Sequence, residues 1–79
     1  MEMQVEKLSR IIGKNIKRRR IELRMTQSEL AERMGITQGA LSDIENGKRS
    51  PLLKTIADFS ETLEVPPSYL LTESVLANV

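Results

Sequence analysis

Apolar side chains recur every three and four residues from about Leu8 to about Leu23, which predicts an amphipathic first helix. The apolar stripe consists of Ile12, Ile16 and Leu23, with Leu8 and Ile11 beside it. Arg20 falls on the same stripe, four residues after Ile16. Because an unpaired guanidinium is very costly to bury, we expect Arg20 to have a partner elsewhere in the chain.

Two short helices with clear capping residues follow. Thr26 and Glu29 have the spacing of a capping box, which predicts that a second helix begins after Thr26. We expect Gly35 to end that helix in the left-handed conformation, and Gly47 to end a third helix in the same way. Thr37 is the expected N-cap of the third helix. The side chains predicted to face the core are Leu30, Ala31, Met34, Leu41 and Ile44.

Two further helices are predicted in the last third of the chain. Ser50 followed by Pro51 is typical of a cap and a first helical position, and Val65 with the two prolines after it ends the fourth helix. The apolar face of this fourth helix consists of Leu53, Ile56, Phe59 and Leu63. Ser68 is the expected cap of a short fifth helix. No segment has the alternating pattern of a strand, so the predicted fold is all-α, a compact bundle of five helices.

The composition agrees with a helical core and excludes several kinds of site. Apolar residues make up 39% of the chain and aromatic residues only 3%, which favours packed helices over a sheet. The chain has neither cysteine nor histidine, so we expect no disulfide, no metal site and no cofactor. No secretion signal and no apolar run of about 20 residues is present, so we expect a soluble protein in the cytoplasm. With no histidine or cysteine, no glycine-rich phosphate loop and no carboxylate pair framed by a pocket-forming fold, an enzyme is not expected.

The charges are distributed unevenly along the chain. All twelve basic residues lie between Lys7 and Lys54, where there are only five acidic residues, giving this segment a net charge of +7. The other six acidic residues lie outside that segment. A basic middle and an acidic remainder are typical of a region that faces a polyanion, although simple solvation of charged faces gives the same pattern.

The outward face of the third helix carries almost no bulky apolar side chain. Its residues are Gln38, Gly39, Ala40, Ser42 and Asp43. A slim helix with small and polar groups outward can enter a major groove about 12 Å wide and contact base edges.

These features together resemble the Cro and phage-repressor type of helix-turn-helix regulator, the Xre family. The resemblance covers roughly Ile12 to Leu70. It is most specific in the stretches 21–23 (Ile-Glu-Leu), 25–31 (Met-Thr-Gln-Ser-Glu-Leu-Ala), 36–38 (Ile-Thr-Gln) and 44–48 (Ile-Glu-Asn-Gly-Lys). It implies a fold of the lambda-repressor-like type, with a recognition helix at about residues 37–46.

The resemblance also assigns roles to individual residues. It implies that Arg20 pairs with Glu45 in a structural ion pair that ties the first helix to the end of the recognition helix. Gln38 would be the main base reader, because a glutamine can form two hydrogen bonds with adenine. Ala40 would meet a thymine methyl group, and Asp43 would either accept from cytosine or remain a solvated acid. The candidate base-reading residues are Gln38, Gly39, Ala40, Ser42 and Asp43, and the candidate phosphate contacts are Gln27, Thr37, Asn46, Lys48 and Arg49.

At Gly39 and Asp43 the sequence departs from the phage repressors, where a longer polar residue and a neutral residue are usual. These departures affect the expected operator sequence and not the mode of binding. In the run of four basic residues 17–20, the side chains point in different directions around one helix, so we expect only one or two of them to reach a phosphate.

The resemblance implies a transcription regulator, most simply a repressor, that binds a near-palindromic operator in double-stranded DNA as a homodimer. We expect residues 1–7 to be an N-terminal extension, residues 8–72 the DNA-binding domain and residues 73–79 a C-terminal tail. The candidate dimer contacts are Tyr69, Leu71, Val75 and Leu76, unless this tail packs on its own core. The alternatives are a protein-binding adaptor on the same fold and an antitoxin with a protein partner. We expect a bacterial or phage protein of the nucleoid, without a membrane partner.

Overall fold

The computed structural model describes residues 2–73, with side chains described from Gln4 onward. Within this part of the chain five helices occur and no strand. They are α1 (Glu2–Glu22), α2 (Gln27–Met34), α3 (Gln38–Glu45), α4 (Leu53–Thr62) and α5 (Pro67–Leu71). The predicted all-α class is confirmed.

Helix α1 begins at Glu2 and not at about Leu8, the start predicted from the apolar stripe. The side chains of residues 4–8 are exposed, and the first buried side chain is that of Ser9. The apolar pattern therefore marks where α1 packs against the bundle and not where the helix starts. Residues 2–7 contain neither glycine nor proline, so nothing in this stretch interrupts the helix.

The predicted caps of α2 and α3 are confirmed. The Thr26 hydroxyl oxygen accepts a hydrogen bond from the Glu29 N–H at 3.0 Å, and the Glu29 carboxylate accepts one from the Thr26 N–H at 3.1 Å. The Thr37 hydroxyl oxygen accepts from the Ala40 N–H at 3.0 Å. Gly35 and Gly47 have φ values of +69° and +74°, the left-handed conformation that glycine adopts without a steric penalty. Thr26 and Gly35 thus bound α2, and Thr37 begins α3, whose C-cap is Asn46 with the left-handed Gly47 directly after it.

The predicted start of α4 is wrong. The N-cap is Leu52, which has no capping side chain, and Leu53 is 82% exposed instead of lying on the apolar face. Ser50 is not used as a cap, because its hydroxyl group hydrogen-bonds the hydroxyl group of Ser9 in α1 at 2.7 Å. A contact distant in sequence thus replaces the local capping interaction.

The predicted cap of α5 is also wrong. The helix starts at Pro67, with Pro66 as the N-cap, so Ser68 lies inside the first turn. Proline suits the first helical position because its fixed φ is close to that of a helix and its missing N–H would have had no partner there.

The core lies where α1, α2, α3, α4 and α5 meet, and it is built from aliphatic side chains around a single aromatic ring. Phe59 is fully buried, as are the large side chains of Ile16, Leu30, Leu41, Leu63 and Leu70. Met34, which was predicted to face the core, is only partly buried. The buried apolar residues are Ile12, Ile16, Met25, Leu30, Ala31, Leu41, Ile44, Ile56, Phe59, Leu63 and Leu70. No helix among residues 2–73 is long and apolar enough to cross a membrane.

Candidate nucleic-acid interface

Helix α3 is divided into a buried face and an outward face. Leu41, Ile44 and Glu45 are buried, whereas Gln38 and Gly39 are exposed. The remaining outward residues, Ala40, Ser42 and Asp43, are partly exposed. The bundle therefore holds α3 by one side and leaves the other side accessible to a binding partner.

The leading end of α3 is open. No atom outside the immediate chain neighbours lies within 4 Å of the position that a β-carbon on Gly39 would occupy. Gln38 is exposed, so its side-chain amide is accessible to a partner. An amide with a free donor and a free acceptor can form a paired set of hydrogen bonds with one base edge.

A buried ion pair anchors the opposite end of α3 to α1. Arg20 donates to both carboxylate oxygens of Glu45, from Nε at 2.7 Å and from Nη2 at 3.1 Å. The side chains are 10% and 1% exposed, and a third donor of Arg20, Nη1, reaches the Met25 carbonyl oxygen at 2.8 Å. A two-point contact of this kind fixes orientation as well as distance. It determines how α3 is turned relative to α1.

Gln27, at the first position of α2, belongs to the same network. Its Nε2 donates to a carboxylate oxygen of Glu45 at 3.0 Å, and the side chain is partly buried. The amide expected to contact phosphate is therefore engaged by Glu45 in this structure. Glu45 thus links the end of α3 to both α1 and the start of α2.

The segment after α3 carries the exposed basic groups. Asn46, Lys48 and Arg49 are all exposed, and neither basic side chain forms an ion pair within residues 2–73. The Asn46 amide donates to the Ser42 hydroxyl group at 3.3 Å, and the Lys48 N–H donates to the Asp43 carbonyl oxygen at 2.8 Å. The loop is thus held against the last turn of α3, and its cations point away from the bundle.

Two residues that the sequence analysis passed over position these elements. A β-carbon at Gly13 would overlap the Ile44 carbonyl oxygen and lie 2.7 Å from that of Glu45, so only glycine lets α1 approach α3 this closely. Asn15 is 2% exposed, and its Nδ2 donates to the carbonyl oxygens of Tyr69, Leu70 and Thr72 at 3.1, 2.9 and 2.9 Å. It satisfies carbonyl groups at the end of α5 that the helix leaves unpaired. In the sequence, Gly13 and Asn15 are noticeable only as a glycine and an asparagine within the predicted first helix.

The candidate dimer residues differ in their surroundings. Tyr69 is partly buried, and Arg18 lies over its ring, 5.4 Å from the centroid, while Arg18 Nε donates to the hydroxyl group at 3.3 Å. Leu71 is 42% exposed. Val75 and Leu76 lie outside the described residues. Of the two that are described, Leu71 is the one with a substantial apolar surface in contact with solvent.

The pKa of Glu29, in the capping box of α2, is lowered. Hydrogen bonds from the backbone and the hydroxyl group of Thr26 favour the ionised carboxylate and lower the pKa of Glu29 below its ordinary value of 4.5. Within residues 2–73, no group of three or more acidic residues is placed to hold a metal ion. The charged groups around α3 include the buried pair of Arg20 and Glu45 and the exposed cations Lys48 and Arg49.

Comparison with known proteins gives a consistent result. Residues 16–70 match the model of the helix-turn-helix family. The chain is 36% identical over 61 residues to the uncharacterised HTH-type transcriptional regulator YqaE of Bacillus subtilis, covering 77% of this chain and 53% of the relative. It is 32% identical over 65 residues to the immunity repressor protein of Bacillus phage phi105, covering 82% of this chain and 45% of the relative. This chain spans about half the length of these two relatives.

Solved structures share the fold. The hypothetical transcription factor NHTF from Neisseria superimposes with a TM-score of 0.82 at 23% identity, covering 92% of this chain and 85% of that one. The restriction-modification controller protein C.AhdI from Aeromonas hydrophila gives a TM-score of 0.73 at 22% identity, covering 78% of this chain and 94% of that one.

Proposed function

Because this chain belongs to the Xre-like family of helix-turn-helix DNA-binding regulators, we propose that it recognises one specific operator in double-stranded DNA by placing α3 in the major groove. The observation that carries this proposal is the division of α3: one face is locked into the core and the other, led by Gln38, is open. The expected resemblance to this family is confirmed, and the proposal concerns what this particular chain recognises and how.

Base reading is assigned to the outward residues of α3. Gln38 pairs with an adenine edge, Ala40 contacts a thymine methyl group and Asp43 accepts from a cytosine amino group. Gly39 adds no side chain, so it allows the helix to approach the bases closely. The Ser42 hydroxyl group accepts a hydrogen bond from the Asn46 amide, which holds both side chains near the same face of α3.

Phosphate contacts surround this face. Thr37 at the start of α3 and the exposed loop residues Asn46, Lys48 and Arg49 bind the DNA backbone. Gln27 contributes from the start of α2, either through its backbone N–H or by exchanging Glu45 for a phosphate as its partner. These contacts set the position of α3 and carry no sequence information of their own.

The proposed active form is a homodimer that acts as a repressor. One recognition helix reads only a few base pairs, so useful affinity requires two half-sites about 34–36 Å apart on a near-palindrome. Leu71 supplies exposed apolar surface for the contact, with Tyr69 beside it and Val75 and Leu76 following in the sequence. The repressor role is supported by the name of the phage relative. The match to that protein covers 82% of this chain and 45% of the relative.

Selection of bound duplexes from random DNA tests this proposal directly. The expected result is an enriched motif with two-fold symmetry and a centre-to-centre spacing of one helical turn or a multiple of it. Sedimentation analysis with and without the selected duplex measures the number of chains bound. Failure to enrich any motif, together with co-purification of a stoichiometric protein partner, would instead favour the adaptor or antitoxin.

A further inference from the structure

A row of basic side chains lies on α1, apart from the helix-turn-helix itself. Arg10, Lys14 and Lys17 follow one another at intervals of four and three residues, which places them on one face of the helix. All three are exposed, and none forms an ion pair within residues 2–73. The row extends over about 10 Å of helix at 1.5 Å per residue.

This row borders the recognition helix. Arg10, Lys14 and Lys17 line one open groove of about 260 Å³ together with Glu45 and Asn46 at the end of α3. Glu45 does not neutralise the groove, because its carboxylate oxygens already accept from Arg20 and Gln27 and its side chain is 1% exposed. The groove therefore presents three unpaired cations and one amide.

The spacing between α1 and α3 is fixed by two glycines. Gly13 lets the α1 backbone lie against the Ile44 and Glu45 carbonyl groups, and a β-carbon at Gly47 would lie 2.7 Å from the Cγ atom of Arg10. The stem of Arg10 consequently packs beside the loop that carries Lys48. The basic row and the loop cations are thus held in a fixed relation to one another.

The match to the family model covers only part of this row. The family match begins at residue 16, so Arg10 and Lys14 lie before it and only Lys17 falls inside it. Both residues belong to the part of α1 that precedes the matched range and lies near α3. Their charge costs self-repulsion along one helix face, which an anion bound in the groove would relieve.

We propose that Arg10, Lys14 and Lys17 bind phosphates of the DNA backbone beside the bases read by α3, and so extend each half-site contact along the strand next to Asn46. This inference rests on the proposed function. Lysine and arginine that neutralise phosphates release counterions, so they raise affinity for every sequence and steepen its dependence on salt. The row spans more than one phosphate of a strand, whose axial rise is about 3.4 Å per nucleotide.

The test compares two charge-matched double variants. Lys14→Gln with Lys17→Gln removes two cations from the row, and Arg10 is retained because its stem packs against Gly47. The control, Arg33→Gln with Lys54→Gln, removes two exposed cations from α2 and α4. Thermal melting of both variants establishes that each still folds.

Binding is measured on the duplex selected by the wild-type protein and on a generic duplex, as a function of salt. Because the proposed homodimer loses four cations, two from each subunit, the row variant is expected to lose about 3.6 from the slope of log K against log salt on both duplexes. Its deficit is then roughly a hundredfold larger at 50 mM than at 200 mM. The control should keep most of the wild-type slope. Ethylation of individual phosphates should interfere with the wild-type protein at positions where the row variant has become insensitive.

The possible failures are distinguishable. If the wild-type protein selects an operator but the row variant keeps the wild-type slope and the same interfering phosphates, the inference is overturned and the proposed function stands. A wild-type protein that binds no duplex at any salt concentration overturns the proposed function and this inference with it.

Discussion

At the scale of single residues, the proposed base reader Gln38 lies exposed at the open end of α3. Substitution of Gln38 by alanine removes both hydrogen-bonding groups without touching the core, since the side chain is exposed. We expect affinity for the selected operator to fall by about 1–3 kcal/mol and discrimination at one base position to relax. Fluorescence anisotropy on the operator and its single-base variants measures both effects.

A matched control for Gln38 is Gln4→Ala, which removes another exposed glutamine from the far end of α1. That variant should bind like the wild-type protein. Equal affinity of the Gln38 and Gln4 variants for every duplex would show that Gln38 does not contact a base.

Glu45 is expected to matter for stability more than for recognition. Glu45→Ala leaves Arg20 buried without a counter-charge, which should lower the free energy of unfolding by about 3–5 kcal/mol. Urea denaturation measures the loss, and Glu61→Ala, which removes an exposed carboxylate from α4, serves as the control. The pair itself need not be a net stabiliser, so Arg20→Met combined with Glu45→Leu should recover much of the loss. A single variant as stable as the control would contradict this account.

The sequence reveals some residue roles and conceals others for a physical reason. Arg20 is conspicuous because a charge on an apolar stripe requires a partner, although its identity came from the family resemblance. Asn15 and Gly13 are inconspicuous, because their roles depend on carbonyl groups of α5 and α3 that are far away in the sequence. Only the folded arrangement brings those groups together.

At the scale of helices, the capping box of α2 makes stability depend on pH. Since the folded pKa of Glu29 is lowered, the ionised carboxylate stabilises the fold above its ordinary pKa of 4.5, and this contribution is lost as the pH falls through the lowered value. Glu29→Gln keeps a side chain suited to the box but removes the titration. We expect the difference in melting temperature between the two proteins to be larger at neutral pH than at about pH 3.

Circular dichroism at a series of pH values checks this prediction. Parallel melting curves for the wild-type protein and Glu29→Gln across the whole range would mean that the carboxylate contributes nothing through its charge. Glu32→Gln, on the exposed side of the same helix, controls for the general effect of removing an acid.

The packing of α1 on α3 depends on Gly13. Gly13→Ala improves intrinsic helix propensity but places a methyl group against two backbone carbonyl groups. We expect the steric effect to dominate and to destabilise the protein by about 1–3 kcal/mol. Gly39→Ala is the matched control, because the corresponding position on α3 is empty. Chemical denaturation of both variants decides the issue, and a Gly13 variant more stable than the wild type would refute the close approach.

Helix boundaries were predictable where the signals are local. Thr26, Gly35 and Thr37 act through atoms within a few residues, so the limits of α2 and α3 follow from the sequence. The start of α4 does not, because Ser50 forms its hydrogen bond with Ser9 instead of with the following turn. The start of α1 at Glu2 does not follow from the sequence either, because the apolar stripe begins only at about Leu8.

At the scale of the whole molecule, the uneven charge places cations around α3. Lys48 is exposed in the loop after this helix and pairs with no acid within the described residues. Lys48→Ala is expected to weaken binding to all duplexes alike and to reduce the salt slope by about one for each subunit of the dimer. A salt titration on operator and generic DNA measures this slope, and Lys54→Ala on α4 is the control.

Two results would contradict the prediction for Lys48. A loss confined to the operator would make Lys48 a base contact, and an unchanged slope would remove it from the interface. The fold class could be predicted from the sequence because capped helices and an apolar periodicity are encoded throughout it, whereas the family was predicted from a resemblance that is most specific in stretches such as 25–31 and 44–48. The grouping of α1 cations with Asn46 could not, since it depends on the angle between two helices.

The separation of buried and outward residues within α3 has a practical consequence. Leu41, Ile44 and Glu45 hold the helix in place, and the side chains at 38, 39, 40, 42 and 43 carry little of that burden. Exchange of these outer positions should therefore redirect the protein to a new target while its melting temperature barely changes. On the proposed function, such a scaffold is a small starting point for reprogrammed genetic switches, because its target can be changed while its fold is kept.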